Sequence, residues 1–349
     1  MRSISIAGTE ISDSTIPFLI AEIGHNHQGN LNTCLELIRA AGKSGASAVK
    51  LQKRNNRGLF TSKAFDAPYN SENAFGATYG EHREALEFGR KEYEACIAEA
   101  KKSNVIFFAT AFDFESADFL NDLDVPAFKI ASGDLRTTPL LKHIAKFGKP
   151  MILSTGGGEM SDIDIAVETI LNEGTDLALL QCTAAYPPVY SELNLNVIST
   201  YRSRYPDTVI GYSGHDSGIA MSLAAYILGA RVIEKHFTLN RAMKGTDHSF
   251  SLEPQGMSKL SRDLKRAHEA LGDGIKRRYE SEKAPLIKMS KSIYLKKELE
   301  QGQKITEQHI EFRSPGGGIY PNKLNEVIGM KSRTALEVGH MLTIEDLMQ

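Results

Sequence analysis

The chain reads as a (β/α)8 barrel followed by a small β-rich domain. Three observations predict this. Eight short apolar runs alternate with amphipathic stretches over most of its 349 residues. The runs are almost continuously apolar, as strands buried on both faces must be. Polar and charged residues gather where the runs end, and that rim is where barrel enzymes hold their chemistry.

The strand candidates are 18–24 (FLIAEIG), 48–52 (AVKLQ), 106–112 (IFFATAF), 127–132 (AFKIAS), 151–156 (MILSTG), 177–183 (LALLQCT), 209–214 (VIGYSG) and 232–237 (VIEKHF). Between them lie helical patterns such as LNTCLELIRAAGKSG and KEYEACIAEAKKSN, ending in Gly or Asn as helices commonly do. An open doubly wound sheet is the alternative. It normally carries a Gly-rich dinucleotide loop after its first strand, and this chain has EIGHNHQGN there. The barrel domain is expected over 1–274, with a linker at 275–285 and the small domain at 286–349. A domain of that size has a marginal core alone and is expected to dock on something. Residues 53–89 form an insertion too long for an ordinary βα loop. Its aromatic, Asn, His and Arg content suits a substrate lid, and a solvated surface loop is the plainer alternative.

Composition removes several classes of function. Apolar residues make up 41% and the net charge is -2, so no basic face points to nucleic acid or a membrane surface. No apolar run approaches the roughly 20 residues of a membrane span. Cys34, Cys96 and Cys182 form no CxxC pair, which fits a reducing compartment, and the start lacks a secretion signal. A cytoplasmic protein is expected.

The rim candidates follow from the strand ends. Glu22 closes the first run, followed by Asn26, His27 and Gln28. Lys50 and Gln52 alternate onto one face of the second run. Thr110, Lys129, Ser132, Asp134, Ser154, Thr183, Tyr186 and Ser213 follow in turn. His215 and His236 end the seventh and eighth runs, with Glu234 beside them and Asp247 in the next loop. Buried charge is costly unless it is paired or meets a charged ligand. Two lysines among hydroxyls therefore suit a phosphate or carboxylate. Two imidazoles on adjacent strands suit a divalent cation with positions left for water and substrate. Each of these residues also has a structural alternative, an ion pair or a hydrogen-bonded core histidine. The glycine runs at 156–158 and 316–318 read as tight turns before phosphate cradles.

AEIGHNHQGNL, KLQK, NAFGATYGEHREALEF, FKIASGD, LQCTAAYPP, GYSGHDSGIA, VIEKHFTL and KGTDHSFSLEP together resemble the sialic acid synthases over nearly the whole chain. The TYGEHR and KGTDHS segments are most similar to the N-acetylneuraminate synthase branch, including its animal-type enzymes. The last sixty-odd residues resemble that family's antifreeze-protein-like SAF domain. The resemblance implies condensation of phosphoenolpyruvate with an open-chain N-acetyl hexosamine aldehyde. The product is a nine-carbon 2-keto sugar acid, formed with C–O cleavage to phosphate. It implies Mn²⁺, or Mg²⁺ or Co²⁺, on His215 and His236. Lys50, Thr110, Lys129, Ser132 and Ser213 match phosphoenolpyruvate positions, and Thr183 lies at the same strand-end rim. Gln52, Tyr186 and Asp247 match positions holding the amino sugar. Glu22 and Asp134 match acids near the reacting centre. Asp134 stands where some bacterial members carry Glu, and Ala184 where some carry Asn. Arg313, offset by one position from the arginine of some relatives, matches a residue that caps the partner's sugar pocket in a domain-swapped homodimer. The acceptor stays open between N-acetylmannosamine, its 6-phosphate and a 6-deoxy diacetamido sugar leading to legionaminate or pseudaminate. For a phosphorylated acceptor, Arg54, Arg57 and Arg83 are candidate anchors. Two other classes compete on the residues alone: a Schiff-base aldolase or lyase using Lys129 or Lys50, and a non-catalytic sugar-binding protein.

Overall fold

The structure, a computed structural model, describes residues 2–349 and divides into two compact units, Met1–Gly272 and Asp273–Gln349. The first opens with a hairpin, β1 (Ser3–Ile6) and β2 (Thr9–Ser12), paired antiparallel through Ala7 and Gly8. Both turn residues have positive φ, 49° and 79°. Ile4, Ile6 and Ile11 of this hairpin are buried in the barrel's core cluster. The alternation in SISI and EIS was the available signal for it, and the strand–helix reading begins only at Phe18.

Eight parallel strands then close a barrel: β3 (Phe18–Gly24), β4 (Ala48–Lys53), β5 (Ile106–Ala111), β6 (Phe128–Ile130), β7 (Met151–Ser154), β8 (Leu177–Cys182), β9 (Val209–Gly214) and β10 (Val232–His236). β10 pairs with both β3 and β9, which completes the ring. Every residue of β3, β6, β7, β8, β9 and β10 is buried, so these strands cannot alternate polar with apolar. The outer helices bury one stripe each. In Leu31–Lys43 that stripe is Cys34, Leu37, Ile38 and Ala41, and the Asn30 side chain caps the start by accepting from the Thr33 N–H.

Most of the expected strands lie within a residue or two of these bounds. The largest difference is β6, three residues long where six were expected, because Ser132–Asp134 turns into a 3-10 helix. The insertion after β4 is ordered rather than loop-like. It carries helices Asn56–Leu59, Ser62–Phe65 and Tyr79–Glu84. The last is started by a capping box between Thr78 and Glu81.

The second unit has its own core of Ile293, Leu295, Leu299, Ile305, Ile310, Ile319, Val327, Leu336, Leu342 and Leu347. Strands Ser292–Leu295 and Ile310–Arg313 pair antiparallel, as do Lys331–Ser332 and Leu347–Met348. Part of the expected linker is helical, with a 3-10 turn at Glu280–Glu282 running into helix Lys283–Met289. No helix among the described residues is long and apolar enough to cross a membrane.

Candidate active site

A cavity of about 750 Å³ opens at the C-terminal ends of the barrel strands. Strand register assembles its floor. Glu22 lies level with Lys50 on one side and His236 on the other, and Gln52 is level with Thr110, which is level with Lys129. Glu234 is level with Ser213. The alternation of β10 sends Glu234 and His236 to the cavity, while Lys235 pairs with the buried Asp216 at 3.1 Å.

The floor is an alternating set of buried charges. Lys50 Nζ lies 2.5 Å from Glu22 and 3.8 Å from Glu234, and it donates to Thr110 Oγ1 at 2.7 Å. Lys129 Nζ donates to Ser154 Oγ at 2.6 Å and to the Ile130 carbonyl at 2.9 Å, and it lies 3.9 Å from Glu234. Ser213 Oγ donates to Glu234 at 2.9 Å, and Gln52 Nε2 donates to Glu22 at 2.7 Å. Two glutamates share Lys50, and this separates their titrations. Burial raises Glu22, which faces one lysine, to about 7, helped by the charge of Glu234. Burial opposes ionisation of Glu234 too, but Lys129, Lys50 and the Ser213 hydroxyl hold it down at about 2. Burial also lowers the Lys129 ammonium.

Gly24, just past Glu22, sits at a bulge where the register shifts against β4. Its φ is +52°, and a Cβ there would lie 3.0 Å from Glu22 Oε1 and 3.1 Å from Gln52 Nε2. Only glycine keeps this backbone beside that hydrogen bond without strain.

His215 and His236 face each other with ring centroids 5.2 Å apart, and Phe250 packs edge-on to both. His215 Nδ1 lies 3.0 Å from the Thr183 carbonyl, which can only accept, so Nδ1 carries the proton and Nε2 keeps its lone pair. His236 Nδ1 is buried with no hydrogen-bond partner, 3.5 Å from Asp247 Oδ2. Burial, then the neighbouring His236, lowers His215 to about 4, and burial lowers His236 as well. Both rings are therefore neutral at physiological pH, the form that binds metal. Among the described residues no group of three or more His, Cys, Asp or Glu is arranged to hold a metal. The donor set fits a cation held by two imidazoles, with its other positions left to water and substrate. A backbone carbonyl already orients one ring, as in many metal sites.

Of the residues expected from sequence, Glu22, Lys50, Gln52, Thr110, Lys129, Ser132, Tyr186, Ser213, His215, His236 and Asp247 all line this cavity. Tyr186 stands half-exposed with its ring 4.2 Å from His215. Two expectations need correction. Thr183 does not line the cavity, because its hydroxyl donates to the Glu192 carbonyl; its contribution is the carbonyl that orients His215. Asp134 is set back in the 3-10 turn, where its carboxyl accepts from Thr137, and Glu234 occupies the floor beside Glu22 instead. Burial raises Asp134 to about 6. Arg313 lies on the second unit, as expected, largely exposed and paired with Glu311 at 3.0 Å. The glycine run 156–158 packs rather than cradles: a Cβ at Gly158 would lie 2.2 Å from Leu135 Cδ2.

Sequence reasoning missed His25, Asn73, Phe75, His82 and Phe112, all of which line the cavity. Arg54 and Arg83 line it too. Burial and then the Arg83 charge pull the Arg54 guanidinium down to about 10. His27, expected at the rim, instead stacks on Phe88 at 4.1 Å.

The comparisons with known proteins agree with one another. The NeuB family model matches residues 37–276, and the SAF domain model matches 290–348. Human N-acetylneuraminate-9-phosphate synthase is 38% identical over 321 residues, 92% of this chain and 89% of that protein. The N,N'-diacetyllegionaminic acid synthase of Campylobacter jejuni is 39% identical over 315 residues, 89% of this chain and 94% of that one. Among solved structures, the N-acetylneuraminic acid synthetase of Leptospira borgpetersenii, in complex with citrate, superposes with a TM-score of 0.70 at 34% identity. That match covers 81% of this chain and 95% of the other. A barrel of this topology with its rim of paired lysines, glutamates and facing imidazoles, followed by a SAF domain, makes this chain a member of the NeuB family.

Proposed function

We propose that the protein condenses phosphoenolpyruvate with the open-chain aldehyde of N-acetylmannosamine or its 6-phosphate, consuming water and giving a nine-carbon 2-keto sugar acid and phosphate. The observation that carries this reading is the buried Lys50–Glu22–Glu234–Lys129 set beside two neutral imidazoles. Lys50 and Lys129 are two desolvated cations ringed by the hydroxyls of Thr110, Ser132, Ser154 and Ser213, which suits the phosphate of phosphoenolpyruvate. Fixed cations of this kind also stabilise the charge that develops on the departing phosphate. Gln52, Tyr186 and Asp247 line the part of the cavity assigned to the sugar.

In the reaction, C3 of the enol bonds to the aldehyde carbon and the aldehyde oxygen gains a proton. Water bonds at C2 and loses two protons, one restoring the acid that protonated the aldehyde oxygen and the other passing to the departing phosphate. The bond from C2 to the bridging oxygen breaks, and its electron pair leaves with phosphate. Glu22, whose carboxyl burial raises above the usual carboxylate range, is suited to supply the first proton and to receive one from water. A divalent cation on His215 and His236, Mn²⁺ or else Mg²⁺ or Co²⁺, supplies Lewis-acid polarisation when bound. Asp134 is given no step. In a domain-swapped homodimer, the exposed Arg313 is the residue proposed to cap the partner's sugar pocket. The three buried free cysteines suit the proposed cytoplasmic setting.

Phosphate release from phosphoenolpyruvate tests the reading. It is expected to need both an amino sugar and Mn²⁺, and to stop with EDTA. Turnover that ignores EDTA, with a borohydride-trapped keto-acid adduct on Lys129 or Lys50, would establish the Schiff-base reading instead.

A further inference from the structure

Lys50 and Lys129 each lie within 4 Å of a buried carboxylate, but the guanidiniums of two other cations of the same cavity do not. The guanidiniums of Arg54 and Arg83 make no ion pair with a carboxylate among the described residues; their partners are neutral. Arg54 is only 8% exposed, and its Cζ lies 3.6 Å from the Phe112 ring centre. Its N–H groups reach Gln52 Oε1 at 2.8 Å and His25 Nε2 at 3.3 Å. Arg83 reaches the Tyr79 hydroxyl at 2.8 Å and His25 Nδ1 at 3.4 Å.

His25 thus meets a guanidinium donor at each ring nitrogen. Burial and the two guanidiniums keep it neutral. A neutral imidazole accepts at one nitrogen and carries a proton on the other. One of the two guanidiniums therefore points at another donor. Glu87 Oε1, 3.6 Å from His25 Nε2, is placed to draw the imidazole proton to that nitrogen, which leaves Arg54 as the donor lacking an acceptor. A buried donor in this state is costly unless a ligand meets it.

Gln52 shows where such a ligand would lie. Its Nε2 donates to Glu22 and its Oε1 accepts from Arg54. The amide stands between the deep Glu22–Lys50 pair and the guanidiniums, so a molecule spanning Gln52 ends at Arg54 and Arg83. Arg57, the third arginine of the insertion, is exposed and paired with Glu84, and it does not line the cavity. Asp247, His82 and Tyr186 line the same cavity.

We propose that Arg54 and Arg83, with His25 between them, form a second anion subsite, and that the acceptor sugar carries a phosphomonoester at the end remote from its aldehyde. The inference rests on the condensation reading above. Planar guanidiniums grip phosphate oxygens in pairs, and a bound anion gives Arg54 the acceptor it lacks. A 6-deoxy sugar has no hydroxyl there to bear the phosphate.

The test compares initial rates of phosphate release from phosphoenolpyruvate with Mn²⁺ and three acceptors: N-acetylmannosamine, its 6-phosphate and a 6-deoxy diacetamido sugar. The 6-phosphate is expected to give a kcat/KM at least about tenfold above the free sugar, mainly through KM. In Arg83→Ala this preference should shrink towards one, with Arg83→Lys in between. Arg54→Ala should do the same; if it fails to fold, the half-buried Arg83 still gives the readout. Equal or better turnover of the free sugar, or turnover of the 6-deoxy sugar alone, overturns the subsite and leaves the condensation reading standing. No phosphate release with any of the three overturns the condensation reading, and the subsite with it.

Discussion

Replacing Lys129 with methionine is expected to lower kcat/KM by about a hundredfold to a thousandfold, the usual scale for removing one preorganised donor to developing charge. Stability should fall as well. Glu234 keeps only Lys50, at 3.8 Å, as a cationic partner, and a buried carboxylate with lost pairing costs about 3 kcal/mol. The two effects separate in a double variant. Lys129→Met with Glu234→Gln removes the stranded charge and should recover most of the lost Tm, while the rate stays low. Thermal unfolding and phosphate release on the single and double variants check this. A single variant within tenfold of the parent rate would remove Lys129 from the anion site. Recovery of rate together with Tm would mean that its part is structural.

His236→Ala should bring turnover to background while the fold changes little. His236 Nδ1 is buried and unpartnered, so truncation breaks no hydrogen bond at that atom, and the ring borders the cavity rather than the packed core. A stability change within about 1 kcal/mol is expected for such a site. The loss falls instead on Mn²⁺ affinity, which should drop by more than about a hundredfold, beyond what disturbing an outer hydrogen bond does. Mn²⁺ titration followed by electron paramagnetic resonance reads this directly, without turnover. Near-parent activity of His236→Ala in metal-free buffer would refute the metal role of the pair. Tm alone would not distinguish the two readings.

The barrel is legible in the sequence because both faces of its strands are buried, which writes each strand as a continuous apolar run. Polar residues at the ends of those runs then stand out, and this is how Lys50, Lys129, His215 and His236 are found. Legibility fails where the backbone turns just past a strand end. Asp134 lies only five residues after Lys129, but the 3-10 turn at Ser132–Asp134 carries its carboxyl to Thr137. Thr183 acts through a carbonyl, which no side-chain pattern reports. The Arg54–His25–Arg83 group is non-local: it joins the loop after β3, the residue after β4 and the helix Tyr79–Glu84. Composition makes that insertion a candidate lid, but only packing shows which of its arginines face inward.

Phosphoenolpyruvate labelled with ¹⁸O at the bridging oxygen gives the most direct test of the condensation. Incubated with Mn²⁺ and N-acetylmannosamine 6-phosphate, the protein is expected to release phosphate that carries the label. The keto sugar acid should carry none of it, since its C2 oxygen comes from water. Label found in the keto acid, or release of phosphate without an acceptor, would contradict the mechanism assigned to this site.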